Sequence, residues 1–143
     1  MPTGRCIVSI PVHSYGSQHW VSFETGGGRH AYVLTGVVLF NLQGAGQDFK
    51  RDTLTFEVPV PALPAGQGLR VIHWAPSVGP ASFANDGPPL NTGWAVDAFR
   101  LVNTGPVITT ATVSCDVAVR DPGSFLYRVS YSLHLVGHIE ALA

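Results

Sequence analysis

Two tryptophans and three polar residues form the sharpest candidate for a ligand site in this sequence. Trp74 and Trp94 bracket a segment rich in proline and glycine, and that segment contains Asn85, Asp86 and Asn91. Exposed aromatic faces that stand beside amide and carboxylate groups are typical of sites that bind sugars. The five residues therefore indicate a carbohydrate-binding site, against the more common alternative that the tryptophans are buried in a core or at a contact between subunits.

Six histidines raise the possibility of a metal site, which their spacing does not favour. His134 and His138 fall on the polar face of the last predicted strand, where four residues separate them by about 13 Å, too far to chelate one ion. His138 and Glu140 could share an ion only if a neighbouring strand supplied further ligands. We therefore predict no metal, and expect His134 and His138 at a contact between subunits, where protonation would make assembly sensitive to a pH of about 6.

Catalytic constellations are weak in this chain. Ser132, His134 and Asp116 supply the side-chain types of a catalytic triad, but no GxSxG motif is present to hold a strained serine. The thiol of Cys115 stands next to Asp116, whose negative charge disfavours the reactive thiolate. The run Asn85-Asp86-Gly87 offers oxygen ligands for calcium, yet it lacks the spaced carboxylates of a calcium loop and is more simply a turn. The sequence thus predicts no enzymatic activity and no bound cofactor.

The elements that must position these residues have the pattern of β-strands from end to end. The strongest signal covers residues 107–142, where apolar and polar side chains alternate along two runs that flank a turn at residues 121–124. Alternation with a period of two places one face of each run in a core, and the Pro-Gly pair favours a tight turn. The predicted core faces hold Val113, Cys115, Val117 and Val119 before the turn, and Phe125, Tyr127, Val129, Tyr131, Leu133, Leu135 and Ile139 after it. Residues 107–142 are therefore predicted to form one long antiparallel hairpin.

The earlier strands are less regular. Residues 53–60 alternate in the same way, whereas residues 30–42 are apolar on both faces, which predicts cover by the core on one side and by a neighbouring subunit on the other. Residues 75–93 carry no strand pattern and predict a long loop, whose Phe83 and Leu90 we expect at a subunit contact. Shorter strands are predicted at Cys6–Val12, His19–Thr25, Leu69–Trp74 and Trp94–Val102.

These elements define a fold class. About eight strands in a chain of 143 residues suit an all-β, two-sheet antiparallel sandwich of jelly-roll type, with residues 1–143 as one domain. An immunoglobulin-like sandwich is the alternative, although the Cys–Trp–Cys spacing of that fold is absent.

Composition narrows the classes of partner. Charged residues make up 12% of the chain, and the formal net charge is −1, which excludes an electrostatic footprint for nucleic acid or for an anionic membrane surface. The two cysteines cannot form a disulfide framework or a four-cysteine zinc site. No apolar run approaches the roughly 18 residues of a membrane span, and residues 6–12 are too short and interrupted for a signal peptide.

A sparsely charged surface with wide apolar strand faces favours cover by other protein subunits. We therefore expect a non-enzymatic structural protein that acts as a homo-oligomer, for example a trimer, and that serves as a virion decoration, capsid-associated or tail-fibre component. Its expected location is a virion or another assembled particle, or otherwise the cytoplasm. The alternative is a lectin-like carbohydrate-binding module that uses the tryptophan site.

Overall fold

The computed structural model describes residues 10–85, 93–103 and 105–142, and over these ranges the chain is all β. The strands are β1 (Ser14–Tyr15), β2 (His19–Gly26), β3 (Arg29–Gln43), β4 (Lys50–Pro59), β5 (Gln67–Asn85), β6 (Gly93–Leu101), β7 (Val107–Ile108), β8 (Thr110–Arg120) and β9 (Ser124–Ala141). Over the same ranges, no helical segment has the length and apolar character that crossing a membrane requires.

The strands form one large and one small sheet. The large sheet has the order β1-β3-β9-β5-β7, with β2 paired to the same edge of β3 as β1, and the small sheet has the order β4-β8-β6. Strands early in the chain pair with strands late in it, as β3 does with β9, β4 with β8 and β5 with β7. This nesting is the course of a jelly roll, in which a long out-and-back chain wraps into two sheets. The structure therefore confirms the predicted antiparallel sandwich.

The core lies between the inner faces of the two sheets. In β4, Leu54, Phe56 and Val58 are buried while Glu57 is exposed, which is the alternation predicted for this segment. The other strands contribute Tyr32, Leu34, Val38 and Phe40 from β3, Val113, Cys115, Val117 and Val119 from β8, and Val129, Leu133 and Leu135 from β9. Burial of one such Val, Leu or Phe side chain contributes about 1.5–3 kcal/mol, so this cluster is the main source of stability in the sandwich.

The predicted hairpin over residues 107–142 is wrong. β8 pairs with β4 and β6 in the small sheet, whereas β9 pairs with β3 and β5 in the large sheet. The turn at Asp121, whose φ is 84°, carries the chain from one sheet to the other. The apolar faces of β8 and β9 consequently meet across the core instead of lying side by side. Alternation cannot distinguish the two arrangements, because both bury the same side chains.

The core face of β9 also changes near the start of the strand. Leu126 is fully buried, while Phe125 and Tyr127 are half-buried, with ring centroids 5.6 Å apart. The register between β9 and its two neighbours shifts at this point. The prediction that Phe125 and Tyr127 face the core is therefore wrong. A register irregularity reverses which alternate side chains face the core, so the pattern that holds from Val129 onward does not extend back to the start of the strand.

The predicted loop over residues 75–93 is strand as far as Asn85. β5 runs along β9 for its whole length, with Asn85 opposite Ser124. Pro76 and Pro80 argue against a central strand because they lack an N–H group, but the other edge of β5 pairs with described residues only near its start, with β7. A proline on an open edge breaks no ladder hydrogen bond, so the strand tolerates both.

In the described part of the structure, a second sheet covers strand β3 on its core face and not on its outer face. Its outer-face residues Val33, Val37 and Leu39 are half-buried, and no second layer of described residues covers them. The expectation that a neighbouring subunit covers this face stays a prediction.

Candidate functional site

The residues of the predicted sugar site are only partly described. Trp74 lies on β5 and Trp94 on β6, in different sheets, and exposed fractions of 42% and 46% show that neither is buried in the core. Asn85 ends β5, but its side chain lies outside the described part of the structure, as do Asp86 and Asn91.

The strand register separates the two tryptophans. Trp94 pairs with Val119, at the end of β8 that leads into the turn between β8 and β9. Trp74 pairs with Leu135, far beyond the start of β9 at Ser124. The difference is about ten residues of strand, roughly 30 Å. The two tryptophans therefore lie far apart along the sandwich, and the structure does not bring them together at one site.

The structure describes only some of the residues that are predicted to lie at a subunit contact. His134 and His138 lie on the outer face of the large sheet, where His134 is exposed and the Nδ1 atom of His138 is 3.3 Å from the Gly28 carbonyl oxygen. The side chain of Phe83 and the whole of Leu90 lie outside the described part. Among the described residues, no group of three or more His, Cys, Asp and Glu side chains could hold a metal ion. The contact role of these residues stays a prediction.

The side chains of the hypothetical triad lie on opposite sides of the sandwich. Ser132 and His134 are on the outer face of the large sheet, while Asp116 is on the outer face of the small sheet, 3.3 Å from the guanidinium of Arg100. Cys115 is a free thiol in the core, and burial, together with the charge of Asp116, raises its pKa to about 12. A thiol that stays protonated at neutral pH is a poor nucleophile.

Strand β2 presents apolar side chains on an open sheet edge. All eight of its residues are exposed, with exposed fractions of 46% for Trp20, 61% for Val21 and 51% for Phe23. The turn into β3 uses three consecutive glycines at residues 26–28, with φ values of 92°, 63° and 76°, which other residues rarely adopt. Among the described strands β2 thus pairs with β3 alone, and the exposure of all eight residues shows that both of its faces meet solvent.

Other sheet edges carry features that discourage pairing with a second chain. The free edge of β5 contains Pro76 and Pro80, β6 is bulged near its C-terminal end, and the outer edge of β4 is bridged by Ile10. β2 contains no proline and no lysine, and its pairing with β3 is regular up to Glu24. Of the strands compared here, β2 is therefore the one best suited to pair with another chain.

A small cleft opens between the sheets beside the segment that joins β1 to β2. The backbone N–H of Glu57 donates to the Tyr15 hydroxyl over 3.1 Å, and the Gln18 side-chain amide donates to the Pro59 carbonyl over 3.3 Å. These bonds tie the edge of the large sheet to β4, and the cleft that remains, about 230 Å³, is also lined by Tyr131. Burial and the nearby Tyr15 raise the pKa of the Tyr131 hydroxyl.

A larger groove of about 530 Å³ lies on the outer face of the large sheet, where β3 and β9 meet the segment between β1 and β2. Its polar lining consists of Ser17, His19, Thr35, Arg128 and Ser130. We call this site the Arg128 groove.

Sequence reasoning missed both the edge of β2 and the Arg128 groove. Residues 19–25 are predicted as a short strand, but that prediction does not place the strand at an exposed edge. The run of three glycines after the strand is the signal that could have indicated an exposed arm. Arg128 falls on the predicted polar face, but its lack of a partner depends on which strands flank it.

The jelly-roll order of strands is shared by sandwich domains of very different functions, so the fold alone does not indicate a function. The chain matches no family model, no curated protein and no solved structure.

Proposed function

We propose that this protein is a non-enzymatic structural protein whose copies associate through β2 into a homo-oligomer. The observation that carries the proposal is the outer edge of β2, which pairs with no other described strand and carries three large exposed apolar side chains. Such an edge is a ready template for pairing with another chain. Burial of Trp20, Val21 and Phe23 would add a favourable term of about 25 cal/mol per Å² of apolar surface removed from water.

The sequence of β2 is self-complementary about Ser22. When two copies of β2 pair antiparallel with Ser22 opposite Ser22 of the second copy, Val21 lies opposite Phe23 of that copy and Trp20 lies opposite its Glu24. Residues two apart on a strand share a face, so Val21 and Phe23 of both copies form one apolar cluster. Pairs of aromatic and β-branched residues across strands contribute roughly 0.2–1 kcal/mol each.

The outer face of the large sheet continues this cluster. Phe23 pairs with Ala31, which pairs with Val136 on β9, and Val21 pairs with Val33. Val33 and Val136 are half-buried in the single chain. A specific interface buries about 800 Å² on each partner, and the edge of β2 together with this face supplies a continuous surface for it.

A particle component is the role that we infer from such association. Jelly-roll sandwiches build viral capsid domains, and a virion decoration, capsid-associated or tail-fibre protein works through contacts between copies. The lectin-like alternative built on Trp74 and Trp94 has less support, since the strand register places these residues far apart along the sandwich.

The test is the absolute mass in solution, measured by light scattering after size exclusion at matched concentrations. The wild-type protein is expected at a multiple of 15.2 kDa, and Val21→Lys, which puts a charge at the centre of the β2 contact, is expected at 15.2 kDa. Val102→Lys is the matched control, because Val102 is also exposed but follows β6, on the far edge of the small sheet. A monomeric wild-type protein, or a Val21→Lys variant that keeps the oligomer mass, contradicts the proposal.

A further inference from the structure

The Arg128 groove arises where the sheet edge is interrupted. Tyr15 of β1 pairs with Val38, and His19 of β2 pairs with Thr35, so residues 16–18 leave the strand ladder between these two points. Gly16 and Ser17 of this segment line one side of the groove, and residues of β3 and β9 line the rest together with His19. Its volume of about 530 Å³ falls within the roughly 300–1,000 Å³ that small-molecule sites occupy.

Arg128 is a cation without a counter-charge at this groove. It is half-buried on β9, it forms no salt bridge with a described carboxylate, and its Nε atom is buried without a hydrogen-bond acceptor. Arg70, by contrast, lies 2.8 Å from Glu140, and Arg100 lies 3.3 Å from Asp116. A partly buried charge without a partner costs free energy. An oxyanion bound at the terminal nitrogens of Arg128 would offset this cost through charge-assisted hydrogen bonds.

Besides Arg128, the groove is lined by hydroxyl and imidazole groups and by apolar side chains, among them Val37 and Leu39, against which a sugar ring can pack. Ser17, His19 and Thr35 lie on the side of β2 and β3, and Ser130 lies on β9. The Thr35 hydroxyl donates to the His19 carbonyl and the Ser130 hydroxyl to the Gly79 carbonyl, each over 3.4 Å. Both bonds are long for a hydroxyl donor, so each hydroxyl can exchange its bond for one to a ligand and keeps lone pairs to accept others. Such groups match the hydroxyls of a sugar ring.

We propose that the Arg128 groove binds an anionic saccharide, that is, a sugar ring that carries a carboxylate or sulfate group. Arg128 binds the oxyanion, while Ser130 and Thr35 exchange hydrogen bonds with the ring hydroxyls. A free inorganic ion would satisfy Arg128 but would leave most of the groove and its hydroxyls without a partner, which is why a sugar is inferred. The inference does not depend on the proposed assembly, because His19 is the only residue of β2 that it uses and the exposed apolar side chains of that strand lie outside the groove.

The test is saturation-transfer difference NMR on the full chain, which detects ligand protons whether or not the protein is oligomeric. The probes are glucuronate, N-acetylglucosamine 6-sulfate and glucose, with inorganic sulfate as a competitor. At least one acidic sugar is expected to bind about tenfold or more tightly than glucose, because a hydrogen bond to a charged group is lost with the neutral sugar. Comparison of the two acidic sugars identifies the preferred oxyanion.

Two arginine variants complete the design. Arg128→Gln is expected to weaken binding of the acidic sugar about tenfold or more. Arg29→Gln removes the same charge from the same face at the other end of β3 and is expected to leave binding unchanged. Equal losses in both variants would mean that only net charge matters. That result overturns the proposal, as does inorganic sulfate that competes as strongly as the acidic sugar, or the absence of saturable binding for both acidic probes.

Discussion

The ring of Tyr131 lies directly over Gly36, so a β-carbon on Gly36 would come 2.5 Å from the Tyr131 hydroxyl oxygen. The two residues pair across β3 and β9, and the same ring contacts Phe56 of the small sheet at a centroid distance of 5.2 Å. The absence of a side chain at Gly36 therefore lets one aromatic residue connect the two sheets beside the groove and the cleft.

Gly36→Ala is expected to destabilise the sandwich by about 1–3 kcal/mol, because the added methyl group displaces Tyr131 from its packed position. Gly79→Ala is the matched control, since a β-carbon on Gly79, also in the large sheet, meets nothing within 4 Å. Chemical denaturation followed by fluorescence measures both free energies of unfolding. Equal effects of the two substitutions would show that Tyr131 is not held over Gly36.

Cys115 is expected to make stability fall at alkaline pH. Its pKa is raised from 9.0 to about 12 by burial and by Asp116, so the folded state holds the thiol proton more tightly than the unfolded chain does. The resulting stability is fully present below pH 9 and is lost as the pH rises from 9 towards 12, by up to about 1.4 kcal/mol per pH unit.

The measurement compares denaturation at several alkaline pH values for Cys6→Ser and for Cys6→Ser combined with Cys115→Ala. The second variant removes the buried thiol, so its stability is expected to decline less steeply, although other groups such as tyrosines still contribute to both curves. Parallel curves would argue against a thiol that stays protonated in the core.

The placement of β8 and β9 in different sheets can be tested by engineered disulfides. The hydroxyl oxygens of Thr55 and Ser114 are 3.1 Å apart on paired strands of the small sheet, so cysteines at these positions are expected to form a disulfide in air. A hairpin with Arg120 opposite Ser124 would instead bring Ser114 opposite Ser130. The double cysteine variant at 114 and 130 is expected to stay reduced, because these residues lie on opposite outer faces of the sandwich.

Both pairs are made in a background with Cys6→Ser and Cys115→Ala, and non-reducing mass analysis reports the bond. A disulfide between positions 114 and 130, without one between 55 and 114, would contradict the two-sheet placement and support a hairpin of β8 and β9.

Local pattern predicted which side chains face the core, but not which strands are neighbours. Val117 and Leu133 are buried in the sandwich and would also be buried in a hairpin, so their pattern carries no information about pairing. Pro76 and Pro80 argue locally against a strand, and only the open edge of β5, a property of the whole sheet, makes them tolerable.

The candidate ligand site was harder to predict for the same reason. If residues 75–93 formed a loop, Trp74 and Trp94 would flank it and could lie close together. Because β5 continues as a strand to Asn85, the two residues are far apart instead. Arg128 sits on the predicted polar face of its strand. What distinguishes it from Arg70 is the absence of an acidic neighbour, which depends on long-range pairing.

The register proposed for the contact between two copies of β2 gives the most specific prediction. Ser22 is the residue that lies opposite itself across the two-fold axis, so Ser22→Cys in a Cys6→Ser background is expected to oxidise to a covalent dimer. Paired residues of antiparallel strands have Cα atoms about 4.5–5.5 Å apart, which suits disulfide geometry. Thr25→Cys is the matched control, because Thr25 is also exposed on β2 but lies opposite His19 of the second copy in this register.

Mild oxidation followed by non-reducing mass analysis separates the possible outcomes. A dimer with Ser22→Cys that is several-fold more abundant than with Thr25→Cys supports the two-fold pairing, and addition of Val21→Lys is expected to abolish it. Equal yields from the two cysteines would indicate random collision of exposed thiols. An oligomer by mass that never cross-links at Ser22 would retain association between copies while excluding this register, because a fixed antiparallel contact centred on Ser22 cannot hold the two thiols apart.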